Sequence, residues 1–173
     1  IYFATKAHDG QRRKKEDILM IFHPLSVGIM LQKSGCEEDV VVAGILHDVI
    51  EDTKYTKEDI EERFGERVAY LVDAVSESDK SLPWEDRKVE TIEYMRDASF
   101  EVKLISCADK ISNLDSCLRV IALSGDSAWD GFKRGKEKQE WYYRSVYESI
   151  LKNTDGKHPL FVRLGLLIEE VFV

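Results

Sequence analysis

The run Val40-Val41-Val42-Ala43-Gly44-Ile45-Leu46, followed at once by His47-Asp48-Val49-Ile50-Glu51-Asp52, constrains this chain more than any other feature. Glu37 and Glu38 stand just ahead of it, where acidic side chains suit the positive end of a helix. The apolar residues then continue to about Ile50 without sustained period-two alternation. A segment apolar on nearly every side reads as a buried central helix. His47 and Asp48 would then be ionisable groups in its C-terminal part, and an unpaired buried charge costs several kcal/mol. A divalent cation would satisfy both at once. So would a His47 bond to a backbone carbonyl together with an ordinary Asp48 ion pair, and the dipeptide alone does not choose.

Helical spacing recurs along the rest of the chain. Pro24, Pro83 and Pro159 each sit where a helix can begin, since proline at a first turn forfeits no hydrogen bond. Residues 24–33 form one apolar helix closed by Ser34-Gly35. Thr56 and Asp59 match a capping box ahead of Ile60, Phe64, Val68, Leu71, Val72 and Val75, with an interruption near Gly65. Residues 76–83 read as a loop and 84–97 as a helix with Trp84, Val89, Ile92 and Met95 inward. Ser99 caps a long helix over 100–123, and an irregular stretch with Gly125, Gly131 and Gly135 follows. Helices over 136–152, with Trp141, Val146 and Ile150 inward, and over 159–173 complete an all-α chain. The expected domain is 1–173, a single unit whose chemistry-bearing part is about 1–120.

Lys and Arg total 25 against 33 Asp and Glu, a formal charge of −8. That balance speaks against a broad surface for a nucleic acid polymer, which basic side chains hold through phosphates, but it leaves room for a small anion in a locally basic cleft. Cys36, Cys107 and Cys117 are odd in number and widely spaced, as reduced core thiols are. No apolar run approaches the roughly 18–20 residues of a membrane span, so a cytoplasmic protein with no membrane partner is expected.

Other stretches besides 47–48 carry groups for chemistry. His23 precedes Pro24 at a helix start, and Asp109 lies in Val102-Lys103-Leu104-Ile105-Ser106-Cys107-Ala108-Asp109, a second buried-helix context. With His47 and Asp48 they make a mixed nitrogen and oxygen donor set for one ion, suited to Mn, Fe, Co or Zn, with Mn2+ fitting action on phosphate oxygens. Glu51 and Asp52 fall four residues beyond His47 and Asp48, one turn along the same face. Carboxylates there can hold or deprotonate water. Asn113 is likewise four beyond Asp109 and can donate to ligand oxygens. Gln11-Arg12-Arg13-Lys14-Lys15 precedes His23, and such a run is either a solvated loop or a phosphate clamp. Lys110 and the pair Arg87-Lys88 are weaker clamp candidates, and Trp84 reads as core or a lid anchor.

Taken in order, Ala7-His8-Asp9-Gly10-Gln11, Arg13-Lys14, Phe22-His23-Pro24-Leu25, Ile45-Leu46-His47-Asp48-Val49-Ile50-Glu51-Asp52-Thr53, Phe64-Gly65-Glu66-Arg67-Val68 and Cys107-Ala108-Asp109-Lys110-Ile111-Ser112-Asn113-Leu114 resemble the RelA/SpoT-like guanosine bispyrophosphate (ppGpp) hydrolases. These are a branch of the HD superfamily, and the likeness is to its small stand-alone form. The resemblance implies a helical bundle with one active-site cleft between helices, and His23, His47, Asp48 and Asp109 around Mn2+. It further implies Glu51 and Asp52 as the pair that positions and activates water, and Arg13, Lys14 and Asn113 beside a small anionic nucleotide, where Lys110 would add its charge as a clamp candidate. The implied reaction is removal of the 3′-pyrophosphate from ppGpp or pppGpp, giving GDP or GTP in a stringent-response role. The pattern departs at Lys15–Ile21, where the family has a shorter turn with a Pro-Tyr pair. It departs again at Lys110 and Ser112, where the family has arginine and histidine. Another nucleotide or phosphorylated metabolite, including the 2′-phosphate of NADPH, is therefore a second substrate expectation. A non-catalytic metal-containing binding module is a third, and a homodimer through the last two helices is compatible with all of them.

Overall fold

The computed structural model describes residues 1–13, 16–77, 81–129 and 134–173. Among them there is no sheet, only an isolated bridge between Arg12 and Leu19, and the all-α expectation holds. The helices are α1 (Tyr2–Ala7), α2 (Phe22–Lys33), α3 (Glu38–Leu46), α4 (Val49–Asp52), α5 (Lys57–Phe64), α6 (Glu66–Val75), α7 (Trp84–Asp97), α8 (Phe100–Ser124), α9 (Gly135–Leu151) and α10 (Pro159–Val171). A short 3-10 turn, Gly125–Trp129, follows α8.

Local chemistry accounts for most of these boundaries. The Thr56 box is formed in both directions, Asp59 N–H donating to Thr56 Oγ1 at 3.4 Å and Thr56 N–H to Asp59 Oδ2 at 2.9 Å. Gly65 takes φ 89°, a left-handed value that ends α5 and lets α6 start in a new direction. Ser99 Oγ accepts from Val102 N–H at 3.3 Å at the head of α8, and Pro159 occupies the first turn of α10.

The central helix is shorter than its apolar pattern indicates. It stops at Leu46, His47 and Asp48 form a turn with Asp48 at φ −91° and ψ −5°, and α4 restarts at Val49. The His47 imidazole supplies the reason, because Nδ1 bonds Gly44 O at 2.9 Å. In an unbroken helix that carbonyl would accept from Asp48 N–H, so a side chain competes with the backbone ladder.

Two inward assignments also fail. Val89 is 41% exposed and Trp141 38%. The helices α7 and α9 pack on each other, and their buried residues are instead Ile92 and Met95 on α7 and Tyr142, Tyr143, Val146 and Ile150 on α9. The indole of Trp141 adds length enough to reach the Trp84 ring from a half-open position, centroids 6.3 Å apart.

The core is organised around α8, which packs against α2, α3, α6, α9 and α10. The helices α2 and α3 approach closely because two glycines face each other's partners. A Cβ on Gly28 would lie 2.3 Å from Ile45, and one on Gly44 would lie 2.3 Å from Leu31. Lys103 of α8 is 2% exposed and spends its ammonium on chain ends, donating to Arg96 O at 3.1 Å and to Lys152 O. It ties the last turns of α7 and α9 together. Cys107 is buried while Cys36 and Cys117 are partly so, and no disulfide joins the three. No helix among the described residues is long and apolar enough to cross a membrane.

Candidate metal centre and its cleft

The start of α2, the turn after α3 and the middle of α8 bring His23, His47, Asp48 and Asp109 together. His23 Nε2 lies 3.1 Å from His47 Nε2, 3.4 Å from Asp48 Oδ2 and 3.2 Å from Asp109 Oδ1. His47 Nε2 lies 3.1 Å from Asp48 Oδ1 and 3.6 Å from Asp109 Oδ1. One donor atom each from His23, His47 and Asp109 falls within a 4.8 Å group. Both imidazoles are buried, and the carboxylates are nearly so.

The opposite ring nitrogens fix what these atoms can do. His47 Nδ1 donates to the Gly44 carbonyl, leaving Nε2 with its lone pair toward the cluster. His23 Nδ1 sits 2.8 Å from Ser112 Oγ, a partner that can accept a proton in the same way. Two ring nitrogens and two carboxylates converging at 3.1–3.6 Å call for positive charge among them, which protons on the imidazoles or a cation in their place would supply. Two nitrogens with two oxygens match a divalent transition ion, so the residues present fit a metal.

Electrostatics agree. Burial pushes the Asp48 carboxyl upward, but His47, with help from His23, outweighs it and holds it down to about 2. Burial also opposes ionisation of Asp109, yet Lys110 and the two histidines keep it well below the usual carboxylate range. For His47 burial disfavours the charge, while Asp48 and Asp109 raise its pKa well above the ordinary imidazole value. Asp109 is fixed at both oxygens, Oδ1 accepting from Asn113 Nδ2 at 2.6 Å and Oδ2 from Lys110 Nζ at 2.7 Å. Arg13 Nη2 donates to Asn113 Oδ1 at 2.9 Å, so the three stand in one chain leading from the cluster.

The cluster lies at the wall of a cleft of about 800 Å³ that Arg13, Glu51, Asp52, Lys110 and Asn113 also line. Lys14 lies outside the described residues. Glu51 Oε2 accepts from Glu77 N–H at 3.4 Å, and the Asp52 carbonyl accepts from Gln11 Nε2 at 2.8 Å. The weaker clamp candidates are spoken for in part. Glu77, mostly buried, takes both Arg87 and Lys88 on its carboxylate. Lys88 Nζ stands 4.7 Å over the Tyr142 ring and 5.9 Å from that of Trp84, and both rings line the cleft.

Several participants escaped the sequence reading. Ser112 stood out only as a departure from a motif, yet it orients His23. His8, 3% exposed, bonds Gln11 Oε1 through Nδ1 at 2.8 Å, and Gln11 in turn holds the end of α4. Glu77 and Tyr142 gave no sequence signal, since a polar loop and an aromatic at helical spacing are ordinary.

The sequence model of the HD domain matches residues 1–126. The chain belongs to the HD-domain family. Among solved structures, this HD-domain chain superposes on lmo0812 from Listeria monocytogenes EGD-e with a TM-score of 0.82 and 39% identity, covering 87% of this chain and 98% of that one. A structure described as a metazoan ortholog of SpoT that hydrolyses ppGpp gives a TM-score of 0.82 at 29% identity, over 98% and 91% of the two chains. In sequence it is 32% identical over 99% of its length to the Drosophila melanogaster guanosine-3′,5′-bis(diphosphate) 3′-pyrophosphohydrolase MESH1, covering 90% of that protein. The Danio rerio MESH1 is 38% identical over 66% of this chain, and the match spans 64% of that relative's length. The recognised likeness to the ppGpp hydrolase branch thus stands on sequence and on structure.

Proposed function

We propose that this protein is a metal-dependent nucleotide pyrophosphohydrolase that removes the 3′-pyrophosphate of ppGpp or pppGpp. The observation that carries the reading is the convergence of His23, His47 and Asp109, with Asp48 beside both imidazoles, in a cleft that Glu51 and Asp52 also line. The similarity to the Drosophila melanogaster MESH1 over nearly the whole chain supports the choice of substrate.

In this reading His23, His47, Asp48 and Asp109 hold one ion, Mn2+ in the first instance with Zn, Fe and Co as alternatives. Such an ion supplies Lewis acidity at a phosphoryl oxygen and a lowered pKa for water. Glu51 accepts the proton of the attacking water, and Asp52 holds that water in line. Lys110 and Asn113 keep Asp109 in its ligating orientation while presenting positive charge and an amide to the substrate's phosphates. Arg13 offers a planar fork for phosphate oxygens, and Trp84 and Tyr142 give the cleft flat apolar faces beside the Lys88 ammonium.

The test is a release assay for phosphate and pyrophosphate across ppGpp, pppGpp, other nucleotides and NADPH, with Mn2+ and with chelator. Pyrophosphate from ppGpp that vanishes with chelator is the expected result. Release of monophosphate from NADPH alone would overturn the substrate, and metal-independent turnover would overturn the mechanism.

A further inference from the structure

The segment joining α1 to α2, where the family pattern is broken, doubles back on itself. Arg12 and Leu19 form the bridge, Arg13 N–H donates to Ile18 O at 2.9 Å, and Met20 N–H donates to Gln11 O at 2.9 Å. Its adjacent acidic residues Glu16 and Asp17 point opposite ways. The Asp17 side chain is 87% exposed and pairs outward with Arg12, whereas that of Glu16 is 10% exposed and lines the cleft.

Glu16 is anchored from α8. Its Oε2 accepts from Ser116 Oγ and its Oε1 from Arg119 Nε at 2.6 Å, while Arg13 Nε stands 3.6 Å from Oε2. Burial pushes this carboxyl upward, but Arg119, Ser116 and Arg13 together hold it below its ordinary value, so it is ionised at neutral pH. A fixed negative charge therefore sits in an anion-binding cleft, beside the guanidinium whose other end bonds Asn113. Arg119 is more than half exposed, so water can serve that end of the pair if the charge on Glu16 is removed.

We propose that Glu16 is a specificity-determining residue, whose carboxylate offsets Arg13 and holds down the affinity gained with each additional phosphate on the ligand. The inference rests on the reading of the cleft as a nucleotide site. Arg13 attracts a ligand in proportion to its negative charge and Glu16 repels it in the same proportion. With both present, the dependence of affinity on ligand charge is flattened. Glu16→Gln removes the charge while its amide oxygen can still accept from α8.

The experiment is calorimetric binding of GMP, GDP and GTP to the metal-loaded protein, wild type and Glu16→Gln, at low salt and at roughly 0.5 M salt, where surface fields are damped. Each added phosphate should gain about three-fold more affinity in the variant than in wild type, which is about 0.7 kcal/mol at roughly 1.4 kcal/mol per tenfold. The excess should shrink at high salt. Ser116→Ala, which loosens the anchor but keeps the charge, should leave the wild-type steps in place. Equal steps in wild type and Glu16→Gln would overturn the proposal, as would a uniform loss for all three ligands or steepened steps in Ser116→Ala. Failure of wild type to bind any of the three would instead overturn the nucleotide reading itself, and the proposal with it.

Discussion

Ser112 shows how little of a metal site its ligands alone describe. Its hydroxyl meets His23 Nδ1 at 2.8 Å from one turn beyond Asp109, so one helix supplies both a ligand and the group that aims another. Ser112→Ala should lower metal affinity by about 10- to 100-fold, the usual cost of losing such a partner; competition against a chelating dye would measure it, and unchanged affinity would dismiss the role. Asp109→Ala should abolish metal retention in the purified protein, read by elemental analysis. Glu51→Gln should keep the ion but lower kcat by ~100-fold or more, as loss of a positioned base does. Glu77 gives a pH dependence. Burial works against its charge, but Lys88, Arg87 and Lys110 hold its pKa below 4.5. The stabilisation it adds is complete above about pH 4.5 and disappears as pH falls through the folded value. Glu77→Gln should therefore be less stable than wild type by about 1–2 kcal/mol at pH 7, with the two denaturation curves converging as pH falls below the folded value. The four proposed ligands were legible because buried ionisable groups stand out against apolar runs. Ser112, His8 and Glu16 were not, because a hydroxyl, an isolated imidazole and a loop carboxylate acquire meaning only from what faces them.

At the scale of elements, the crossing of α2 and α3 sets the spacing of His23 and His47. Gly28 meets Ile45 and Gly44 meets Leu31 without room for another carbon, and the Gly44 carbonyl also holds the His47 ring. Gly44→Ala should cost about 1–3 kcal/mol through overpacking, and should weaken metal binding as well, because the helices that carry the two histidines must part. Thermal melts with and without metal would separate the two effects; a variant that lost stability yet bound metal normally would contradict the coupling. Helix positions followed from periodicity and capping residues, and Thr56, Ser99 and Pro159 sit where their chemistry requires. The break at His47 could not be read in the same way. Hydrophobicity continues unbroken to Ile50, and only the competition of an imidazole for Gly44 O interrupts the ladder. Nor do the exposures of Val89 and Trp141 follow from spacing alone, because a helix face is known only once its neighbour is placed.

For the whole molecule, the proposed ligands come from the head of α2, the turn after α3 and the centre of α8, with His23 and His47 24 residues apart and His23 and Ser112 89 apart. An ion that binds only this arrangement stabilises it by mass action, about 2.7 kcal/mol at a hundred-fold excess over Kd. Metal loading should thus raise Tm by roughly 5–10 °C, and calorimetry before and after chelation would show it; an unchanged Tm would mean that the cluster grips nothing. The break at His47–Asp48 carries a kinetic corollary. Since Asp109 comes from α8, the full set of four donors is complete only once α8 has docked on α2 and α3. In refolding, helical signal should therefore recover on the same time course with or without metal in the vessel. Metal uptake would report only the closing of the last door.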